Sequence, residues 1–167
     1  MEVSLLSHRT NPDKIKKIAT ATLVSVKRLI KGKFFIRLSV KKWPYFNDLI
    51  KLIAEKFGED FKVVTAPGPL EISDAYNVNA LPLLDKGKSL NISQLTALIK
   101  DSSIVIANDT GPAHIAAHSG AKGIAIFGKH TTAFKVSIER ENFRAIQVND
   151  LNNLSAQKVF DRLINLL

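Results

Sequence analysis

Hydrophobic positions along the chain switch repeatedly between helical spacing and short unbroken runs. Over residues 13–30, Ile15, Ile18, Thr22, Val26 and Leu29 share one side of a predicted helix among lysines, and Gly32 closes it. Phe34–Val40 reads as a strand. A helix opened by Pro44 and running to Phe57 carries Phe46, Leu49, Ile50, Ile53 and Phe57 on one stripe, with Gly58 as its stop. Phe61–Thr65 is the next strand, and Ala66–Leu70 is a rigid loop with two prolines and a glycine. A short helix over Glu71–Tyr76, a short strand over Leu81–Leu84 and a helix over Ile92–Lys100 follow. The region 129–143 reads as loop with partial helix and Arg144–Val148 as a last strand. Ser155 caps a final helix that turns Val159, Leu163 and Leu166 inward. Strands and helices alternate throughout. The predicted fold class is therefore α/β, a Rossmann-like parallel sheet with helices on both faces.

Residues 103–128 are the most informative stretch. Ser103–Ala107 predicts a strand whose run Ile104-Val105-Ile106 suits burial on both faces of a parallel sheet. Asn108 and Asp109 break that run. Pro112 fits the first helical position, since its missing N–H would be unpaired there, and Thr110 or Gly111 is then the N-cap. Gly120 suits the left-handed end of the helix. Gly123–Gly128 supplies the next strand and its exit turn. Free N–H groups and about half a unit of positive partial charge point out of such a helix start, which favours a phosphate or pyrophosphate. Ligands of open α/β sheets collect at that place. The same residues also suit an ordinary strand–turn–helix unit: Asp109 as a cap, His114 as a core or capping residue, Glu71 as a first-turn acid.

Composition narrows the class. The chain has 167 residues, 46% hydrophobic and 23% charged, values of a globular domain. It has no cysteine, so disulfides and thiolate metal sites are excluded. His114 and His118 have a zinc-like spacing, but no further ligand is in sight, and no metal is expected. No apolar run reaches the roughly 18 residues of a membrane span, and Ile18–Val26 lacks the setting of a signal peptide, so a cytoplasmic protein is expected. The formal net charge is +9, and residues 14–42 hold ten basic residues and no acidic one. Such a block attracts polyanions: nucleotide-sugars, or an anionic membrane in peripheral contact at the inner face. It lacks the interleaved aromatics of single-strand binders, so no nucleic acid is expected.

The series Asp109-Thr110-Gly111-Pro112-x-His114-x-Ala116-Ala117, followed by Phe127-Gly128, resembles the signature of glycosyltransferase family 9, the ADP-heptose:lipopolysaccharide heptosyltransferases. Lys41-Lys42-Trp43-Pro44 is similar to the family's Lys-x-Trp-Pro element. Val63–Glu71 resembles its strand, glycine-containing loop and ribose-binding glutamate, and Leu90–Ile99 its helix ahead of the Asp-Thr-Gly turn. The chain departs from the pattern in a shortened connection before Lys41, in Gly123 where proline is frequent, and in Lys129-His130-Thr131-Thr132 after Phe127-Gly128.

The resemblance covers the C-terminal, donor-binding half of a two-domain GT-B enzyme. It implies a nucleotide-sugar-binding domain over residues 33–167, with residues 1–32 as a helical interdomain remnant. It implies an ADP-sugar or other nucleotide-diphosphate sugar as donor, no other cofactor, and transfer to a lipopolysaccharide-type acceptor. Asp109 would bond a hydroxyl of the donor sugar. The amides of Thr110 and Gly111 would hold a phosphate, with His114 in support and Lys41 as a cation. Glu71 would bind ribose and Leu90 would wall the adenine. Catalytic residues are expected in the other half, from a partner chain. The alternative is a non-catalytic nucleotide-sugar-binding module, or the remnant of a transferase.

Overall fold

A computed structural model describes residues 32–37 and 43–167. The predicted helix over 13–30, all but the last residue of the proposed 1–32 segment, the end of the first predicted strand and Lys41 lie outside the described residues. Gly32, the expected helix stop, is the first residue of strand β1, Gly32–Arg37.

Five more strands follow: β2 Phe61–Thr65, β3 Leu81–Pro82, β4 Ile104–Asn108, β5 Gly123–Phe127 and β6 Phe143–Gln147. They form one six-stranded sheet in the order β3-β2-β1-β4-β5-β6, with every pair parallel. Strand order reverses between β1 and β4, so a crevice at the carboxyl ends of these two strands is the expected ligand position. The helices are α1 Phe46–Phe57, α2 Ile72–Ala75, α3 Ile92–Lys100, α4 Gly111–His118 and α5 Ala156–Ile164. Residues 129–142 contain turns and no helix, contrary to the sequence expectation. Ala133, Val136 and Ile138 nevertheless pack into the core on one face of the sheet, while Phe134 is exposed.

Side-chain alternation along the strands builds two cores. On the first face Phe34, Ile36, Ile104, Ile106, Ile124 and Ile126 meet Leu49 and Ile53 of α1 and Val159 and Leu163 of α5. On the second, Phe35, Val105, Ala107, Ala125 and Phe127 meet Ile99 of α3 and Ala113, Ala116 and Ala117 of α4. The alanines bring α4 close to the sheet, and with it the turn that precedes the helix. Trp43 is buried ahead of α1, and its indole N–H donates to the Leu154 carbonyl at 2.7 Å, tying the start of α1 to the entry of α5. Among the described residues no helix is long and apolar enough to cross a membrane.

Candidate nucleotide-sugar site

The carboxyl end of β4 carries the candidate site. Asn108 does not break the strand but is its last residue, paired in register with Ile126. Asp109 then leaves the sheet, its N–H still donating to the Ile126 carbonyl at 3.2 Å. Thr110 is the N-cap of α4. Its hydroxyl turns back to the Asn108 carbonyl at 3.2 Å instead of capping the helix, so it takes up none of the first-turn amides. Gly111 and Pro112 are the first two helical residues, which places Pro112 one position later than expected. Proline still fits, because an amide at the second helical position would have no carbonyl to reach within the helix, whereas the Ala113 and His114 amides already donate to the Thr110 carbonyl. Gly111 is exposed, and a Cβ built on it meets nothing within 4 Å. The backbone here is open to a ligand.

His114 and Asp109 come together over this turn. His114 Nε2 lies 3.5 Å from Asp109 Oδ1, with both side chains about one-third exposed. The helical Cβ vectors tilt toward the helix start, which directs His114 back over its own first turn. The result is a carboxylate and an imidazole flanking two backbone positions at a helix N-terminus. Such a set can hold an anion on N–H groups and accept or donate hydrogen bonds to a neighbouring hydroxyl.

The other predicted residues sit on loops at the same end of the sheet. Glu71, half-buried, follows β2 and precedes α2. Its Oε2 accepts the Gly68 N–H at 2.9 Å, and its own N–H donates to the Gly68 carbonyl at 3.0 Å. The carboxylate therefore shapes the Pro67–Leu70 loop. Leu90 lies between β3 and α3, partly buried against the core on the α3/α4 face. Asn91 after it caps α3 in a reciprocal box with Gln94. Asp109, Thr110, Gly111 and His114 thus form one cluster, while Glu71 and Leu90 follow β2 and β3, on the far side of β1.

Asn108 stands next to the site, although the sequence pattern gives it no site role. It is buried, and neither amide atom has a hydrogen-bond partner. Polar residues at the end of an apolar strand are its only sequence signal. Among the described residues no group of three His, Cys, Asp or Glu side chains is placed to hold a metal.

The family model for glycosyltransferase family 9 (heptosyltransferase) matches residues 37–163. No curated protein matches the chain. Among solved structures, the E. coli heptosyltransferase WaaC with ADP is 19% identical, with a TM-score of 0.70, over 90% of this chain and 49% of that one. E. coli ADP-heptose LPS heptosyltransferase II is 16% identical, with a TM-score of 0.69, over 99% and 55%. A family 9 glycosyltransferase from Veillonella parvula is 18% identical, with a TM-score of 0.68, over 92% and 51%. The chain spans about half the length of these structures.

Proposed function

We propose that this chain, which belongs to glycosyltransferase family 9, binds a nucleotide-diphosphate sugar at the β4–α4 turn and presents it for transfer to an acceptor sugar. The observation that carries the reading is the Asp109–His114 pair over the open amides of Thr110 and Gly111. The structural neighbours with ADP and with ADP-2-deoxy-2-fluoro heptose favour an ADP-sugar as donor.

The diphosphate lies on the α4 N-terminus, where the free N–H groups and the helix dipole favour negative charge. Asp109 accepts from a hydroxyl of the donor sugar, and His114 holds that carboxylate in place. Glu71 takes the ribose hydroxyls, Leu90 lies against the base, and Lys41 adds a cation. In the transfer step the acceptor oxygen bonds to the anomeric carbon while the bond from that carbon to the phosphate oxygen breaks. The electron pair leaves with the diphosphate. The α4 amides stabilise the charge that develops there, and one such donor typically contributes about 3 kcal/mol to the barrier. The hydroxyl proton goes to a base outside this set, on the acceptor-binding half of the enzyme. Residues 33–167 form the nucleotide-sugar-binding domain in this reading. The basic block over 14–42 gives a cytoplasmic enzyme its peripheral contact with an anionic membrane, where a lipopolysaccharide-type acceptor resides.

Calorimetry with ADP, UDP and GDP tests the core of the proposal. Saturable heat with ADP exceeding that with UDP and GDP is expected. No heat with any of the three overturns it.

A further inference from the structure

The loop that leaves β5 carries an aromatic side chain that neither core takes up. Phe134 is 92% exposed, next to the buried Ala133. Strand β5 runs parallel to β4, so this loop leaves the same end of the sheet as the β4–α4 turn.

The loop holds the ring outward. Gln147 of β6 donates to the carbonyls of Gly128 at 2.7 Å and Thr131 at 3.1 Å, and its Oε1 accepts the Ala133 N–H at 3.4 Å. Ala133 and Ile138 are buried, and the Ile138 N–H donates to the Ala133 carbonyl at 3.3 Å, which closes the turn between them. Inside the turn the Ser137 N–H donates to the Phe134 carbonyl at 3.1 Å, and Thr132 Oγ1 accepts the Lys135 N–H at 3.2 Å. Two buried feet and a clamped approach thus display Phe134 and Lys135 at the apex.

The surroundings of the ring select its partner. Residues 129–135 include Lys129, His130 and Lys135, all exposed, and no acid. Neither lysine forms an ion pair among the described residues. Of the acids nearby, the Glu139 carboxylate accepts the Ala145 N–H at 3.2 Å, and Asp150, which lines a cleft with Lys129 and His130, accepts the Asn152 N–H at 2.9 Å. Glu141 is exposed, farther along the loop. A protein interface buries about 1,000 Å² or more around an apolar centre depleted in lysine. One ring among Thr132, Lys135 and Ser137, each exposed, supplies no such centre. An anionic bilayer asks for less: an apolar side chain at headgroup depth and cations beside lipid phosphates. The formal net charge of +9 acts in the same direction.

We propose that the 129–135 loop is a membrane-contact element: Phe134 enters the headgroup region of an anionic bilayer, with Lys129 and Lys135 on lipid phosphates. This contact is separate from the basic block over 14–42 and does not depend on the donor. The probe is a vesicle of phosphatidylglycerol and phosphatidylcholine, with pure phosphatidylcholine as comparator, and the full chain is used throughout. Phe134→Trp supplies the reporter, since the single native tryptophan, Trp43, is buried and gives a constant background. Its emission should shift to the blue on the anionic vesicles and be quenched by acyl-brominated lipid, and should do neither on pure phosphatidylcholine. Phe134→Ala should lower the partition coefficient at least about fivefold. Lys129→Ala/Lys135→Ala should lower it about 25-fold, roughly fivefold per lysine. These side chains are exposed, so the urea midpoint of each variant should match the parent. Lys16→Ala/Lys17→Ala, in the basic block, should weaken binding while the bound fraction of Phe134→Trp keeps its blue shift. Undiminished binding by Phe134→Ala, or an emission of Phe134→Trp that vesicles leave unchanged, overturns the assignment and leaves any membrane contact to the block. Self-association of the parent without lipid, lost in Phe134→Ala, overturns it in favour of a second copy of the chain. Failure to bind anionic vesicles overturns both membrane contacts, whereas the donor reading stands or falls on the ADP titration alone.

Discussion

His114 reaches back across the first turn of α4 to bring Nε2 within 3.5 Å of Asp109 Oδ1. That distance is long for a hydrogen bond, and both side chains are about one-third exposed, so the contact adds at most about 1 kcal/mol to stability. A loose pair over an open helix end is arranged for a third group. Asp109→Ala should leave the urea midpoint nearly unchanged. Its affinity for an ADP-sugar should fall roughly 10- to 100-fold, the worth of a hydrogen bond to a charged group at about 1.5–3 kcal/mol. Binding of ADP alone should show no loss. Calorimetry with both ligands checks this, and an equal drop for ADP and ADP-sugar would place the carboxylate away from the sugar.

Glu71 accepts a hydrogen bond from the Gly68 N–H, which gives the carboxylate a structural duty beside the proposed ribose contact. Glu71→Gln keeps an acceptor for Gly68 and removes the charge. Stability should change by less than about 1 kcal/mol. ADP affinity should fall about tenfold, from the weaker bond to the ribose hydroxyls. A titration with 2′-deoxy-ADP closes the cycle. The variant and the parent should then differ much less, whereas an undiminished difference would assign the effect to the loop.

The sequence made the strands legible wherever burial on both faces leaves an unbroken apolar run. Phe61–Thr65 and Ile92–Lys100 have the predicted limits, the first because turn residues bound it, the second because Asn91 and Gln94 form a capping box. The position of the β4–α4 turn and its flanking residues was equally legible. Three features were not. Asn108 stays in the strand because its backbone pairs with β5 whatever its side chain prefers. The 129–142 loop owes its shape to Gln147, 14 to 19 residues distant, and no local pattern reveals that. The Pro112 shift by one residue turns on whether Gly111 adopts helical angles, which glycine leaves open.

Gly123, which departs from the proline frequent in the resembled pattern, has a steric reason. A Cβ at this position would fall on the Val105 carbonyl oxygen and within 2.5 Å of the Phe143 ring. Phe143 is fully buried and is the register partner of Gly123, so the space is already filled. Gly123→Ala should destabilise the chain by about 3 kcal/mol, the upper end for overpacking, because one of the clashing atoms is backbone. Urea unfolding measures it. Adding Phe143→Leu should recover only part of the loss, since the Val105 oxygen remains; full recovery would mean that the ring alone excludes the methyl.

Asn108 offers the sharpest separation of stability from function. The residue is 97% buried at the end of β4, shares a face with Ile104 and Ile106, and has no partner for either amide atom. Mutational data set the cost of such a buried unpaired group at about 1–3 kcal/mol. Valine suits a strand, is of comparable bulk and matches the apolar neighbours, including the register partner Ile126. Asn108→Val should therefore raise the unfolding free energy of the ligand-free chain by about 1–2 kcal/mol. A lower stability would show that the amide is satisfied by ordered water, whose removal costs more than the desolvation it relieves. The same variant titrated with ADP then decides why a costly residue stands beside Asp109. A more stable chain with weaker ADP binding assigns the amide to the ligand-bound state, where a stability–activity trade-off is the expected physics. A more stable chain with unchanged binding leaves Asn108 outside the site.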